Sequence, residues 1–341
     1  MAWHWVFTII LWEDDGPHAT NPLDFTRGLW LATWTLQVMP MFFYVGGYGH
    51  LRSWQRAQAE GISVWALAGS RAKRLAIPGA ALLFVWIVIG TVLSITFDWP
   101  WVRRGVRLVV SPLWFLGVYL MLVLFLPVAL WLHRRLDTIA IVLLAGFAGL
   151  VDVFRFRYDL EPLGLVNMLL VWGLCHQLGF FYERIVNARR ATDWTLLLGG
   201  AFALAGLVGS GLYPGSMVGV PGERSNMAPP TLCIVALVFL QAGLVELLRP
   251  AVAPKLRRPR WASMNRVINR FALPLFLFHT TGMALSRAFG AALGIDQFES
   301  TSPDLGWWLT RPFAFITPLL FTLPVIYLFG RQWRRPAAVS A

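Results

Sequence analysis

Three histidines stand inside apolar stretches of this chain: His4 in MAWHW, His176 in LCHQLG and His279 in FLFHTTG. Imidazole exchanges a proton more readily than any other side chain near neutral pH, so each can act as a general base or acid. The competing use of each is a hydrogen bond between neighbouring helices. Asn167 precedes His176 by nine residues. At about 100° per residue the two fall on opposite helix faces, so at least one of them is structural. Gln37, Asp152 and Glu246 are single polar positions in or near helix ends, read as packing groups or caps.

A second group of residues suits anion binding. Arg71-Ala-Lys-Arg74, followed by Leu75 and Pro78, sets two guanidinium groups on one helix face. Such pairs grip phosphate oxygens, although they also serve as simple positive anchors at a membrane surface. In MPMFFYVGGYGH (Met39–His50), Phe42 and Phe43 precede Gly46-Gly47. Paired glycines admit the close approach of another helix or of a ligand. Cys175 and Cys233 lie in apolar runs and offer neither a disulfide framework nor metal-ligand spacing. No serine occupies a G-x-S-x-G string. Neither a metal nor a bound cofactor is expected.

The elements that must hold these residues follow from composition. Hydrophobic residues make up 57% of the 341 and charged residues 13%, about half the charge of a soluble protein. So few charges cannot cover a soluble surface, which excludes a disordered chain and an ordinary cytosolic enzyme. The net charge of +12 would point to nucleic acid in a soluble protein. Here the basic residues cluster between apolar stretches, so they read as orientation signals and contacts to lipid headgroups, with no nucleic-acid partner. The expected fold is all-α: a polytopic transmembrane helix bundle of about ten spans with the first one partial. Full spans are expected at 28–48, 76–97, 109–131, 138–154, 160–181, 194–213, 230–248, 271–293 and 309–330, with half a span at 2–12. They form a single transmembrane domain over 1–335, with a short cytoplasmic tail at 336–341.

Arginine placement sets the orientation. Arg52, Arg56, Arg71, Lys73, Arg74, Arg134, Arg135, Arg184, Arg189, Arg190, the basic 249–270 connection, Arg331, Arg334 and Arg335 share one side. Glu13, Asp14, Asp15, Asp159, Glu161, Glu223, Asp296, Glu299 and Asp304 share the other. Both termini are therefore expected to be cytoplasmic, with Arg103, Arg104 and Arg107 as the one discordant cluster. The segment Tyr213–Pro230, rich in Gly, Pro, Ser and Asn, is too irregular to span lipid and is expected to cover the outer mouth as a lid or acceptor-contacting loop. The first segment reaches only ~18 Å at 1.5 Å per residue, which would leave the α-amino group in mid-bilayer. The reading frame is accordingly expected to begin upstream of Met1.

The strings QVMPMFFYVGGY, Arg71-x-x-Arg74 with Pro78, PLWFLGVYL, SMVGVPGERSNMAPPTL and FLFH occur here in that order over about residues 3–330. With them the chain resembles the acyltransferase-3 family of multi-spanning membrane acyltransferases, particularly its actinobacterial type. The resemblance implies ten spans in the cell membrane and transfer of an acyl group to a hydroxyl, usually on an envelope glycan, a glycolipid or a glycosylated metabolite. It implies that His4 is the catalytic base. It implies also that Arg71, Arg74, Phe42, Phe43, Gly46 and Gly47 bind the donor, typically acyl-CoA acting as co-substrate. His279 is a second catalytic candidate that orients the acceptor or stabilises charge. An arginine that the family carries about ten residues before the first-helix histidine would precede Met1. The rival reading, a secondary transporter built from two inverted five-helix repeats, expects breaks in both the first and sixth helices. Gly164, Gly173 and Gly179 interrupt the sixth, but neither Gly nor Pro lies in the first. An inactive acyltransferase-like protein is the third reading.

Overall fold

Pro40 decides where the first long helix begins. Proline fits only the first turn of a helix, where its missing N–H is not needed, and the Met39–Ala59 helix starts beside it. The computed structural model describes residues 2–14, 16–97, 99–220, 223–295 and 303–329. Gln37 ahead of Pro40 is extended, and its Oε1 accepts from the Met39 N–H at 3.2 Å. The expected span 28–48 is corrected accordingly. Residues before Met39 form a 3-10 turn, Leu29–Ala32, and one helical turn, Thr33–Leu36, and the long helix continues past 48 to Ala59. Asp15, Asp296, Glu299, Arg331, Arg334, Arg335 and the tail 336–341 lie outside the described residues.

Among the described residues six helices are long and apolar enough to cross a membrane: Val64–Phe97, Ile139–Tyr158, Glu161–Gly179, Arg190–Gly209, Leu232–Leu256 and Arg311–Leu328. The broken pair Val102–Val110 and Leu113–Leu124 makes a seventh if counted as one. The protein is thus an all-α polytopic helix bundle. The expected continuous span 109–131 is corrected to helices Val102–Val110, Leu113–Leu124 and Leu126–Leu136. Pro112 and Pro127 explain both breaks, since neither can donate to the turn before it. The expected half-span 2–12 is also corrected: Ala2–Phe7 is helical, but Ile9–Glu13 pairs antiparallel with Gly16–Thr20. The β-branched Ile9 and Ile10 favour a strand. Gly16, at φ +115°, supplies a turn conformation that a side chain would resist.

Contacts divide the chain into two compact units: 1–27, 78–114 and 254–341 form one, and 28–77 with 115–253 form the other. In the first, Pro259–Ala292 packs along Arg311–Phe329. Gly282 allows this, because a Cβ there would run into the Thr322 hydroxyl and the Pro318 carbonyl. The short Ala2–Phe7 helix packs on the same Arg311–Phe329 helix, with Trp5 edge-on to Phe315 at 5.5 Å.

In the second unit the glycines work in reciprocal pairs. Met39–Ala59 lies on Gly164–Gly179, where a Cβ on Gly47 would meet the His176 carbonyl and one on Gly179 the Tyr44 carbonyl. Arg190–Gly209 and Leu232–Leu256 repeat the device at Gly200 and Gly243. Between Tyr213 and Pro230 the described residues form no helix, as their composition predicts. Asn226 Nδ2 donates to the carbonyls of Pro214 and Ser216 at 2.6 and 3.0 Å, and Gln37 Nε2 donates to the Met217 carbonyl at 3.0 Å. These bonds replace the backbone ladder the segment lacks.

Candidate functional site

His4 sits on a helix of only two turns, which is too short to be stable on its own. Its C-terminal end, where a helix leaves carbonyls unpaired, and the residue just beyond it are held by arginines. Arg311 donates to the Val6 carbonyl at 3.0 Å and Arg287 to the Thr8 carbonyl at 3.3 Å. Trp5 Nε1 donates to the His279 carbonyl at 2.9 Å, fixing the short helix to the middle of the long one.

These contacts bring together two of the expected residues, which lie 275 positions apart in the chain. His4 Nδ1 is 2.8 Å from His279 Nε2, and the rings stack with centroids 5.1 Å apart. His279 is buried, and its Nδ1 lies 2.6 Å from the Phe276 carbonyl. A carbonyl can only accept, so His279 Nδ1 carries the proton. In the neutral ring Nε2 is then the acceptor. It takes the Nδ1–H of His4, which leaves the lone pair of His4 on Nε2. One backbone carbonyl thus fixes both tautomers, and the outcome is a histidine whose basic nitrogen points away from its partner.

The second unit holds the expected donor residues. Phe43 is fully buried against Phe115 and Trp172, with centroids at 5.3 and 4.9 Å, whereas Phe42 is 47% exposed. Gly47 serves helix packing, while Gly46 faces the ring of Tyr119 with an imagined Cβ only 3.2 Å away. Arg71 is half-buried and donates to Ser53 Oγ at 2.6 Å, but Arg74 is exposed. The two arginines share a helix face without sharing an environment.

Sequence reasoning missed His50. It lies on the inward face with Phe43 and Gly47, at the i, i+4 and i+7 spacing that marks one side of a helix, and that spacing was the available signal. His50 Nδ1 is 2.8 Å from His176 Nε2, and both residues are 1% exposed. Asn167, on the opposite face of the same helix as His176, donates to Asp152 at 2.9 Å. Asp152 also accepts from the Tyr213 hydroxyl at 3.2 Å and the Leu232 N–H at 2.9 Å. Asn167 and Asp152 are structural: they tie the irregular 213–231 segment to two helices. Burial and the adjoining Asp152 carboxylate push the Tyr213 phenol up, which keeps it a hydrogen-bond donor. Glu246 pairs with Arg249 at 2.7 Å, and Gln241 Nε2 donates to the Gln37 carbonyl at 2.7 Å.

A pair of tautomer-fixed imidazoles, His279 buried and His4 partly so, suits proton transfer in a membrane helix bundle. The comparison with protein families agrees with a transfer enzyme: a family model described as an acyltransferase domain, that of the acyltransferase-3 family, matches residues 1–329. Neither the curated proteins nor the solved structures include a significant match to the chain.

Proposed function

We propose a reaction from one premise: the chain belongs to the acyltransferase-3 family and is a membrane acyltransferase. The reaction is O-acylation. The donor is an acyl thioester of the acyl-CoA type, and the acceptor is a hydroxyl on a glycan, a glycolipid or a related sugar-bearing molecule. The enzyme works in the cell membrane as a multi-pass protein with both termini cytoplasmic.

A hydroxyl is a poor nucleophile at neutral pH, so a base must take its proton as it attacks. His4 Nε2 is that base. As the acceptor oxygen bonds to the thioester carbonyl carbon, its proton passes to His4 Nε2. The tetrahedral intermediate then collapses, the C–S bond breaks, and the leaving sulfur recovers that proton. An ester and a free thiol result. His279 holds His4 in the reactive tautomer and stabilises the imidazolium that forms transiently, because its Nε2 keeps accepting from His4 Nδ1–H throughout. Arg71 and Arg74 bind phosphate groups of the donor, and Phe42, Phe43 and Gly46 belong to the donor site.

The observation that carries this reading is the chain of contacts from the Phe276 carbonyl through His279 to His4. It explains why a two-turn helix is clamped by two arginines and a tryptophan. The test is turnover. Purified protein in lipid nanodiscs, supplied with labelled acetyl-CoA, releases free CoA only when a hydroxylated acceptor such as octyl glucoside is added. The label then appears on the acceptor as a hydroxylamine-labile ester. Vesicle uptake of the acceptor with no release of CoA would instead establish the transporter reading.

A further inference from the structure

The second histidine pair has no part in that reaction, and both of its residues are almost fully buried. Its environment is specific. The hydroxyl of Tyr119 lies 3.2 Å from His50 Nε2, so Tyr119, His50 and His176 form one continuous chain of hydrogen bonds. Tyr119 is only half-buried, as is Arg71. The Arg71 guanidinium docks on Ser53, one turn from His50 on the Met39–Ala59 helix. One Arg71 nitrogen is bound by Ser53, while the buried Nε has no hydrogen-bond partner among the described residues. Buried donors are ordinarily satisfied, so this N–H is available to an acceptor.

We propose that Tyr119 and Arg71 together bind one phosphate of the acyl-CoA-type donor, and that His50 and His176 are positioning residues which aim the Tyr119 hydroxyl at it. The inference rests on the donor reading above and extends it to three residues that reading does not use. In this arrangement His176 Nε2–H donates to His50 Nδ1, and His50 Nε2–H donates to the Tyr119 oxygen. The phenolic oxygen is then already supplied with a hydrogen bond, and its own O–H is released toward an acceptor. A phosphate oxygen satisfies it together with the free N–H of Arg71. Bonds to an ionised acceptor are about twice as strong as neutral ones. The pair therefore sorts donors by the presence of phosphate. Gly46 contributes by having no side chain: a Cβ would press on the Tyr119 ring and turn the hydroxyl away.

The experiment compares two donors, acetyl-CoA and S-acetyl-pantetheine, which carries the same thioester and no phosphate. Tyr119→Phe keeps the ring and removes only the hydroxyl. It is expected to raise KM for acetyl-CoA about tenfold, to leave kcat within about twofold, and to leave KM for S-acetyl-pantetheine unchanged. His50→Leu gives the same pattern, whereas His50→Gln, which retains an N–H donor, recovers most of the wild-type KM. A buried pair with a packing role alone would instead lower thermal stability and shift both donors together. If Tyr119→Phe leaves KM for acetyl-CoA at its wild-type value while the wild type still prefers acetyl-CoA, this inference is overturned and the donor reading stands. If the wild type uses both donors equally, both are overturned. Should His50→Leu fail to fold, the Tyr119→Phe comparison decides alone.

Discussion

At the scale of single residues, His4 and His279 are unequal partners, and that inequality is testable. His4 exchanges the proton, so His4→Gln should lower kcat by about 10²–10⁴-fold, the range that a positioned base supplies. His279 acts by accepting from His4 Nδ1–H. His279→Gln leaves an amide oxygen near the place of Nε2 and should retain part of the activity, whereas His279→Leu should lose nearly all of it. The check is kcat at saturating donor for the series, with an unchanged circular dichroism spectrum. Equal loss in both variants would mean that the second imidazole does more than fix a tautomer. Arg71 and Arg74 should separate in the same way. Arg71→Ala is expected to raise KM for the donor more than Arg74→Ala does, because only Arg71 turns inward onto Ser53. Each of these residues could be nominated from its type and its apolar neighbours. Their pairing could not, since helical spacing relates positions within one helix and carries nothing about a partner 275 residues away.

At the scale of elements, glycine placement decides which helices can approach. Gly47 and Gly49 occupy the same helix two residues apart and predict opposite outcomes. A methyl on Gly47 would meet the backbone carbonyl of His176, which cannot swing aside, whereas nothing lies within 4 Å of Gly49. Gly47→Ala should therefore cost about 1–3 kcal/mol through overpacking. Gly49→Ala should be neutral or stabilising by up to about 1 kcal/mol, because alanine is the better helix former. Thermal melting of both variants in the same detergent checks the pair, and a loss at Gly49 as large as at Gly47 would contradict the packing account. Most long helices were legible as apolar runs of spanning length, and Pro40 marked a boundary that the apolar run 28–48 concealed. Hydropathy alone did not reveal the hairpin at Ile9–Thr20. An apolar stretch of five residues reads alike as a helical turn or a strand, and the deciding contacts are distant: Gly16 packs against Trp101, and Trp12 meets the Trp101 ring edge-on at 5.2 Å.

At the scale of the whole molecule, the distribution of arginine predicts orientation. Cys175 and Cys233 are both buried, so single cysteines introduced elsewhere can be labelled without background. Glu223→Cys and Arg260→Cys both fall at exposed positions. An impermeant maleimide applied to intact cells is expected to label the first and spare the second, and the reverse pattern would invert the topology. Composition made the membrane setting legible, because a chain with 13% charged residues has no soluble solution. Chemistry was legible only in outline, as histidines and arginines where lipid discourages them. The central claim is that His4 takes the proton of an acceptor hydroxyl during acyl transfer, and one measurement addresses it directly. Wild-type protein and His4→Gln, matched for fold and for acetyl-CoA binding, are compared for acceptor-dependent CoA release under single-turnover conditions. The account predicts that His4→Gln binds acetyl-CoA with unchanged Kd and transfers acyl groups at least about a hundredfold more slowly. Transfer at the wild-type rate by His4→Gln would contradict it.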